Sequence, residues 1–252
     1  MNIQKKNTRR HFFRSAAVLG TGLVLDGCGR KGTIESRRDE QAPANKAGSM
    51  TDIEVTAVED LMREHGVLRR ALFVYSEAAA RLRGDPSAVA LETLQKTARL
   101  FRAFGEDYHE KKLEEAHIFP AVRKAGGEAA GFVDVLITQH QRGREITDYI
   151  LTATQSSEPG AAGAQQLAQA MDTLVRMYRP HAAREDTVIF AAWKQTLTAA
   201  QLDEMGDKFE DIEREQFGED GFENAVKQIA EIEARLGLAD LGHFTAPAPP
   251  AH

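Results

Sequence analysis

Four long stretches of this chain each place one histidine on an otherwise apolar helical line. From about residue 54 the apolar positions recur at three- and four-residue steps, the period of an α-helix facing a core, in sequence rich in Ala, Leu, Glu, Lys and Arg. The first stretch gives Val58, Leu61, His65, Leu68, Leu72, Tyr75, Ala79 and Leu82, and Gly84-Asp85-Pro86 stops it. The second, about 88–124, gives Leu91, Leu94, Ala98, Phe101, Gly105 and His109, and Gly126-Gly127 ends it. The third, about 129–155, gives Val133, Leu136, His140, Gly143, Thr147 and Ile150, closed by Ser156-Ser157-Glu158-Pro159-Gly160. The fourth, about 163–196, gives Leu167, Ala170, Leu174, Met177, His181 and Val188. One histidine on an apolar face is ordinarily a satisfied core residue. One in each of four helices, at mid-helix, is hard to obtain by chance.

Short connections between long amphipathic helices predict antiparallel neighbours. The expected fold is all-α: an up-down antiparallel four-helix bundle over residues 51–197, with additional C-terminal helices over 198–240 and a loose tail, 241–252. The chain also repeats. His109 is followed by Glu114-Glu115 and Ile118-Phe119-Pro120-Ala121, and His181 by Glu185-Asp186 and Ile189-Phe190-Ala191-Ala192. Each follows a helix with a single histidine, in Glu64-His65 or Gln139-His140. Two αα-hairpins thus each supply a histidine, then a histidine with a carboxylate, and a pseudo-twofold arrangement sets these groups opposite one another.

Imidazoles and carboxylates buried together are costly unless something positive binds them, and bundle cores are a usual place for a metal. Nitrogen and oxygen donors without thiolate suit non-haem iron, with manganese or zinc as alternatives. Four histidines and two carboxylates exceed a single four-coordinate zinc and fit two bridged metals, which stand about 3.5–4 Å apart in such sites.

The order His, His with Glu, His, His with Glu or Asp, with Ile-Phe-Pro after the second helix's carboxylates, resembles the hemerythrin-like HHE family over about residues 54–195. The resemblance implies an oxygen-bridged pair of iron ions with His65, His109, Glu114, His140, His181 and Glu185 as ligands, and Glu115 and Asp186 as the competing carboxylates. His181 and Glu185 are four residues apart, the family spacing, but His109 and Glu114 are five apart. At about 100° per residue five steps leave the pair roughly 140° apart on a regular helix, so a π-bulge is expected between His109 and Glu115. Tyr108 and Tyr178 are candidate pocket residues. Leu68, Phe101, Leu136, Ile150, Leu174 and Met177 are expected to keep the pocket dry, and Pro180 removes a helix hydrogen bond one residue before His181. His117 has no counterpart in the fourth helix and is read as a rim residue.

The net charge of -6 conceals an asymmetry. Residues 1–27 carry Lys5, Lys6, Arg9, Arg10 and Arg14 against Asp26, so the remainder carries -10. An acidic body argues against nucleic acid as a partner. Residues 1–28 read as an export signal: Thr8-Arg9-Arg10-His11-Phe12-Phe13-Arg14 resembles a twin-arginine motif, an apolar stretch follows, and Leu25-Asp26-Gly27-Cys28 resembles a lipobox. Cys28 is the one cysteine and the candidate lipidation site. Residues 29–50 read as a polar tether. The expected protein sits in the bacterial cell envelope, lipid-anchored on the periplasmic side. Its partner is a small diatomic ligand or peroxide, and its reductant is left open. The alternatives are a di-iron enzyme in peroxide or nitric oxide removal or iron delivery, and a metal-free or zinc-bearing structural lipoprotein.

Overall fold

The computed structural model describes residues 55–155, 160–218 and 220–250. The export-signal, Cys28 and tether expectations lie outside the described residues. Among the described residues every regular element is helical: α1 (Ala57–Gly84), α2 (Leu91–Leu100), a π-helical stretch (Phe101–Ile118), α3 (Phe119–Ala125), α4 (Gly127–Ala130), α5 (Val133–Ala153), α6 (Ala161–Arg184), a π-turn (Glu185–Ile189), α7 (Phe190–Gln195), α8 (Ala199–Phe217), α9 (Gly221–Arg235) and a 3₁₀ turn (Leu241–Phe244). No helix among them is long and apolar enough to cross a membrane.

Local chemistry explains the ends. Thr56 caps α1 in a box with Glu59, and Thr198 caps α8 with Gln201, each pair satisfying two otherwise orphaned N–H groups. Gly126, at φ +77°, ends α3 in a backbone region that side chains disfavour. α2, the π stretch and α3 follow one another without a break, as do α6, the π-turn and α7, giving two long helices.

α1 packs along α6, α6 also packs on α5, and α5 packs on α2 and its π continuation, which in turn touch α1. α8 lies against α1 and the π stretch, and α9 against α1 and α2. Arg70 on α1 pairs with Glu233 of α9 at 2.6 Å, and Trp193 of α7 stacks on Phe209 of α8. On α5 the six positions read from the sequence are the six buried ones. On α6 the reading shifts. Leu167, Leu174 and His181 are buried as expected, but Ala168, Met171, Val175 and Tyr178 complete the face, while Ala170 and Met177 are half-buried. α6 is covered from two sides, by α1 and α5, so its buried arc is wider and rotated. The 3₁₀ turn sets Phe244 edge-on against Phe73, with ring centres 4.9 Å apart, because an aromatic side chain finds an apolar partner there.

Candidate metal centre

The structure brings the four histidines and two glutamates together from α1, α5, α6 and the two π segments. His65 Nε2 stands 3.0 Å from His109 Nε2, and His140 Nε2 stands 3.1 Å from His181 Nε2. Glu114 lies between the pairs. Its Oε1 is 3.4 Å from His109 Nε2 and 4.0 Å from His65 Nε2, and its Oε2 is 3.4 Å from His140 Nε2. Glu185 spans them likewise, with Oε2 3.0 Å from His181 Nε2 and 3.6 Å from His65 Nε2, and Oε1 3.6 Å from His140 Nε2. All six side chains are buried, and none of the four carboxylate oxygens has a hydrogen-bond partner.

The groups behind the histidines fix which ring nitrogens face inward. His65 Nδ1 donates to Asp186 Oδ1 at 2.7 Å, His109 Nδ1 to Glu64 Oε2 at 2.5 Å, His140 Nδ1 to Glu115 Oε1 at 2.9 Å, and His181 Nδ1 to Gln139 Oε1 at 2.8 Å. A carboxylate or amide oxygen only accepts, so each Nδ1 carries the proton and each Nε2 presents a lone pair in the neutral ring. Two lone pairs at 3.0 Å repel unless a cation sits between them. Two nitrogens about 2.1 Å from a common ion and at right angles would be about 3.0 Å apart. The electrostatics agree. Burial alone would push the His109 ring down, yet Glu114 and Glu64 hold it well above its ordinary value. His140 is raised in the same way, by Glu110, Glu114, Glu115 and Glu185 against its burial. Burial and the facing Glu185 push the Glu114 carboxyl up, but His109 and His140 outweigh them and it is lowered. The centre is a place where positive charge is stabilised.

Glu114 and Glu185 face the centre, and Glu115 and Asp186 stand behind His140 and His65. The expected bulge lies within a π-helix that runs over Phe101–Ile118. The N–H of Phe119 bonds the Glu114 carbonyl five residues back, and that of Phe190 bonds Glu185 in the same way. Wider turns let groups five apart share a face, which brings Glu114 under His109. α6 continues through Pro180 to Arg184. His117 is half-buried, with its ring beside Phe209.

A cavity of about 10 Å³, room for roughly one water-sized molecule, opens beside the centre, with Leu68, Leu72, Ala182 and Tyr178 in its wall. Of the residues expected to dry the pocket, Leu68 lines it. Phe101, Leu136, Ile150 and Leu174 are buried elsewhere in the core, and Met177 is half-buried. Tyr178 is a wall residue whose hydroxyl donates to buried Glu110 at 2.5 Å. Tyr108 is not in the wall. Its hydroxyl donates to Glu64 at 3.1 Å and so steadies the partner of His109. Sequence reading misses the roles of Glu64, Gln139 and Glu110, although the first two are signalled by standing immediately before His65 and His140.

Fold and site together define a helical protein whose core offers clustered histidine and carboxylate donors to metal ions, in the groups His65–His109–Glu114 and His140–His181–Glu185. The model of the Hemerythrin HHE cation binding domain matches residues 56–193. The chain belongs to that family. It is 41% identical over 244 residues to the "Uncharacterized protein Mb2018" of Mycobacterium bovis and to the "Uncharacterized protein Rv1995" of Mycobacterium tuberculosis, covering 94% of this chain and 90% of each relative. No solved structure matches it.

Proposed function

We propose that this protein is a non-haem di-iron protein that binds, or reacts with, oxygen, nitric oxide or peroxide at the bacterial cell envelope, with its four long helices in up-down antiparallel order. The observation that carries the reading is the set of four buried carboxylate oxygens without a hydrogen-bond donor, facing four histidine Nε2 atoms. That donor set fits iron: imidazole and carboxylate, no thiolate. His65 and His109 would hold one ion and His140 and His181 the other, with Glu114 and Glu185 shared. The ions would supply open coordination positions and electrons to a small ligand.

The chain's own residues do the rest. The four Nδ1 partners hold each ring in one tautomer and orientation, as outer partners of ligating histidines do. Leu68, Leu72 and Ala182 limit water at the cavity wall. The cavity size favours a diatomic molecule or peroxide over larger substrates. Tyr178, tied to Glu110, sets a polar hydroxyl at that wall. Arg9-Arg10 and Cys28 support export and lipid anchoring.

The test is iron content and optical spectrum of protein purified from its native compartment. About two irons per chain are expected, with a spectrum that changes when the reduced protein meets oxygen, nitric oxide or peroxide. His140→Ala should lower metal content and melting temperature, because its partners are left buried and unpaired. Unchanged metal content in that variant, or an iron spectrum indifferent to all three ligands, would overturn the reading.

A further inference from the structure

The two halves of the site match in the residues that stand behind their histidines and differ in chemistry at one matched place. Arg69 and Arg144 each lie four residues after the first histidine of their hairpin, and each pairs with the carboxylate behind that histidine, Asp186 or Glu115. Glu64 and Gln139 are matched too. Each immediately precedes that first histidine, and each accepts from the Nδ1 of the second histidine of its own hairpin, His109 or His181. At that matched place one half has a fully buried carboxylate and the other has a neutral amide.

A carboxylate behind an imidazole makes it a stronger donor to a metal than an amide does. The His65–His109 position therefore has both rings backed by carboxylates. In the His140–His181 position only His140 is. Glu110 adds a carboxylate 4.0 Å from His140 Nδ1, but Arg144 lies 3.2 Å from it and Tyr178 donates to it, so its charge is countered locally.

We propose that the two metal positions are unequal in affinity, that the position held by His65 and His109 fills first, and that Glu64 and Gln139 are the positioning residues that set this order. The inference rests on the di-iron reading.

The test uses Co(II) alone as probe, on metal-free protein refilled by titration and followed by calorimetry and visible absorbance. Two steps are expected, separated by about 10–100-fold, the usual effect of an outer partner. Anomalous scattering from crystals grown with one equivalent of cobalt should locate the first ion between His65 and His109. Gln139→Glu should draw the two steps together. The double exchange E64Q/Q139E, which conserves charge, should move the first ion to His140 and His181. Circular dichroism checks that each variant is folded, and if E64Q/Q139E does not fold, Gln139→Glu decides. Two ions of indistinguishable affinity in the wild type, or a first ion between His140 and His181, would overturn this inference and leave the di-iron reading standing. No cobalt binding by folded protein would overturn both.

Discussion

Gly143 shows how narrowly the centre is packed. A Cβ there would fall 2.2 Å from the Tyr178 hydroxyl and 2.8 Å from its Cε2. The ring cannot swing away without giving up its bond to Glu110, because the hydroxyl is at the point of contact. Gly143→Ala should therefore cost about 1–3 kcal/mol, the usual range for overpacking a filled core, read as a lower denaturation midpoint with unchanged slope. A midpoint equal to wild type would mean that Tyr178 has room the packing denies. The sequence singles out Gly143 as an inner position and Tyr178 as a pocket candidate, but nothing in it brings the two together. Their contact depends on how α5 and α6 approach, and single-chain periodicity carries no information about that.

At the level of elements, helices that bury a broad arc are held differently from those that bury a stripe. α1 buries fourteen of its 28 residues, because α8 and α9 cover its far side, whereas α5 buries six of 21. Fewer buried contacts mean easier local opening. Amides of α5 should exchange with solvent well before those of mid-α1, measured by hydrogen exchange on the metal-free protein, and equal protection would refute the difference. The same contrast explains what is legible in the sequence. α5, with one stripe, is legible at all six buried positions. α6, covered on two faces, reads as a line that leaves out Ala168, Met171 and Val175. The π-helix is legible for another reason: five residues between His109 and Glu114 cannot share a face on a regular helix, so the spacing itself demands a wider turn. Its length, from Phe101, is not legible, since no spacing before His109 asks for it.

For the whole molecule, a buried acid outside the six candidate ligands makes stability depend on pH. Burial, and then the charge of Glu110, push the Glu106 carboxyl up to about 8, despite a hydrogen bond from Thr147. Arg102 Nε stands 2.7 Å from Glu106 Oε2, yet neither atom completes a hydrogen bond, so the guanidinium helps by charge alone. A carboxyl raised in the folded state holds its proton there while the unfolded chain loses it. Its contribution is intact below the ordinary glutamate value of 4.5 and is lost progressively as pH rises to about 8. The decline can reach about 1.4 kcal/mol per pH unit across that window. Glu106→Gln, which stays neutral, should flatten it. Denaturation midpoints of both proteins between about pH 5 and pH 8.5, the span in which the folded and unfolded chains bind different numbers of protons, would show the difference, and parallel curves would refute it.

The repeat has a further consequence, for the order in which the protein can mature on the ribosome. His65 relies on Asp186, 121 residues later, while Glu114 and Glu185 each face histidines of both hairpins. Neither metal position is complete in the first hairpin as it emerges. A nascent chain that ends before His140 has the donors of one hairpin but neither Asp186 nor Glu185, so it cannot capture an ion in the final geometry. On the di-iron reading, metal acquisition would thereby be deferred until synthesis of the domain is nearly finished, and a chain arrested midway would hold no finished centre.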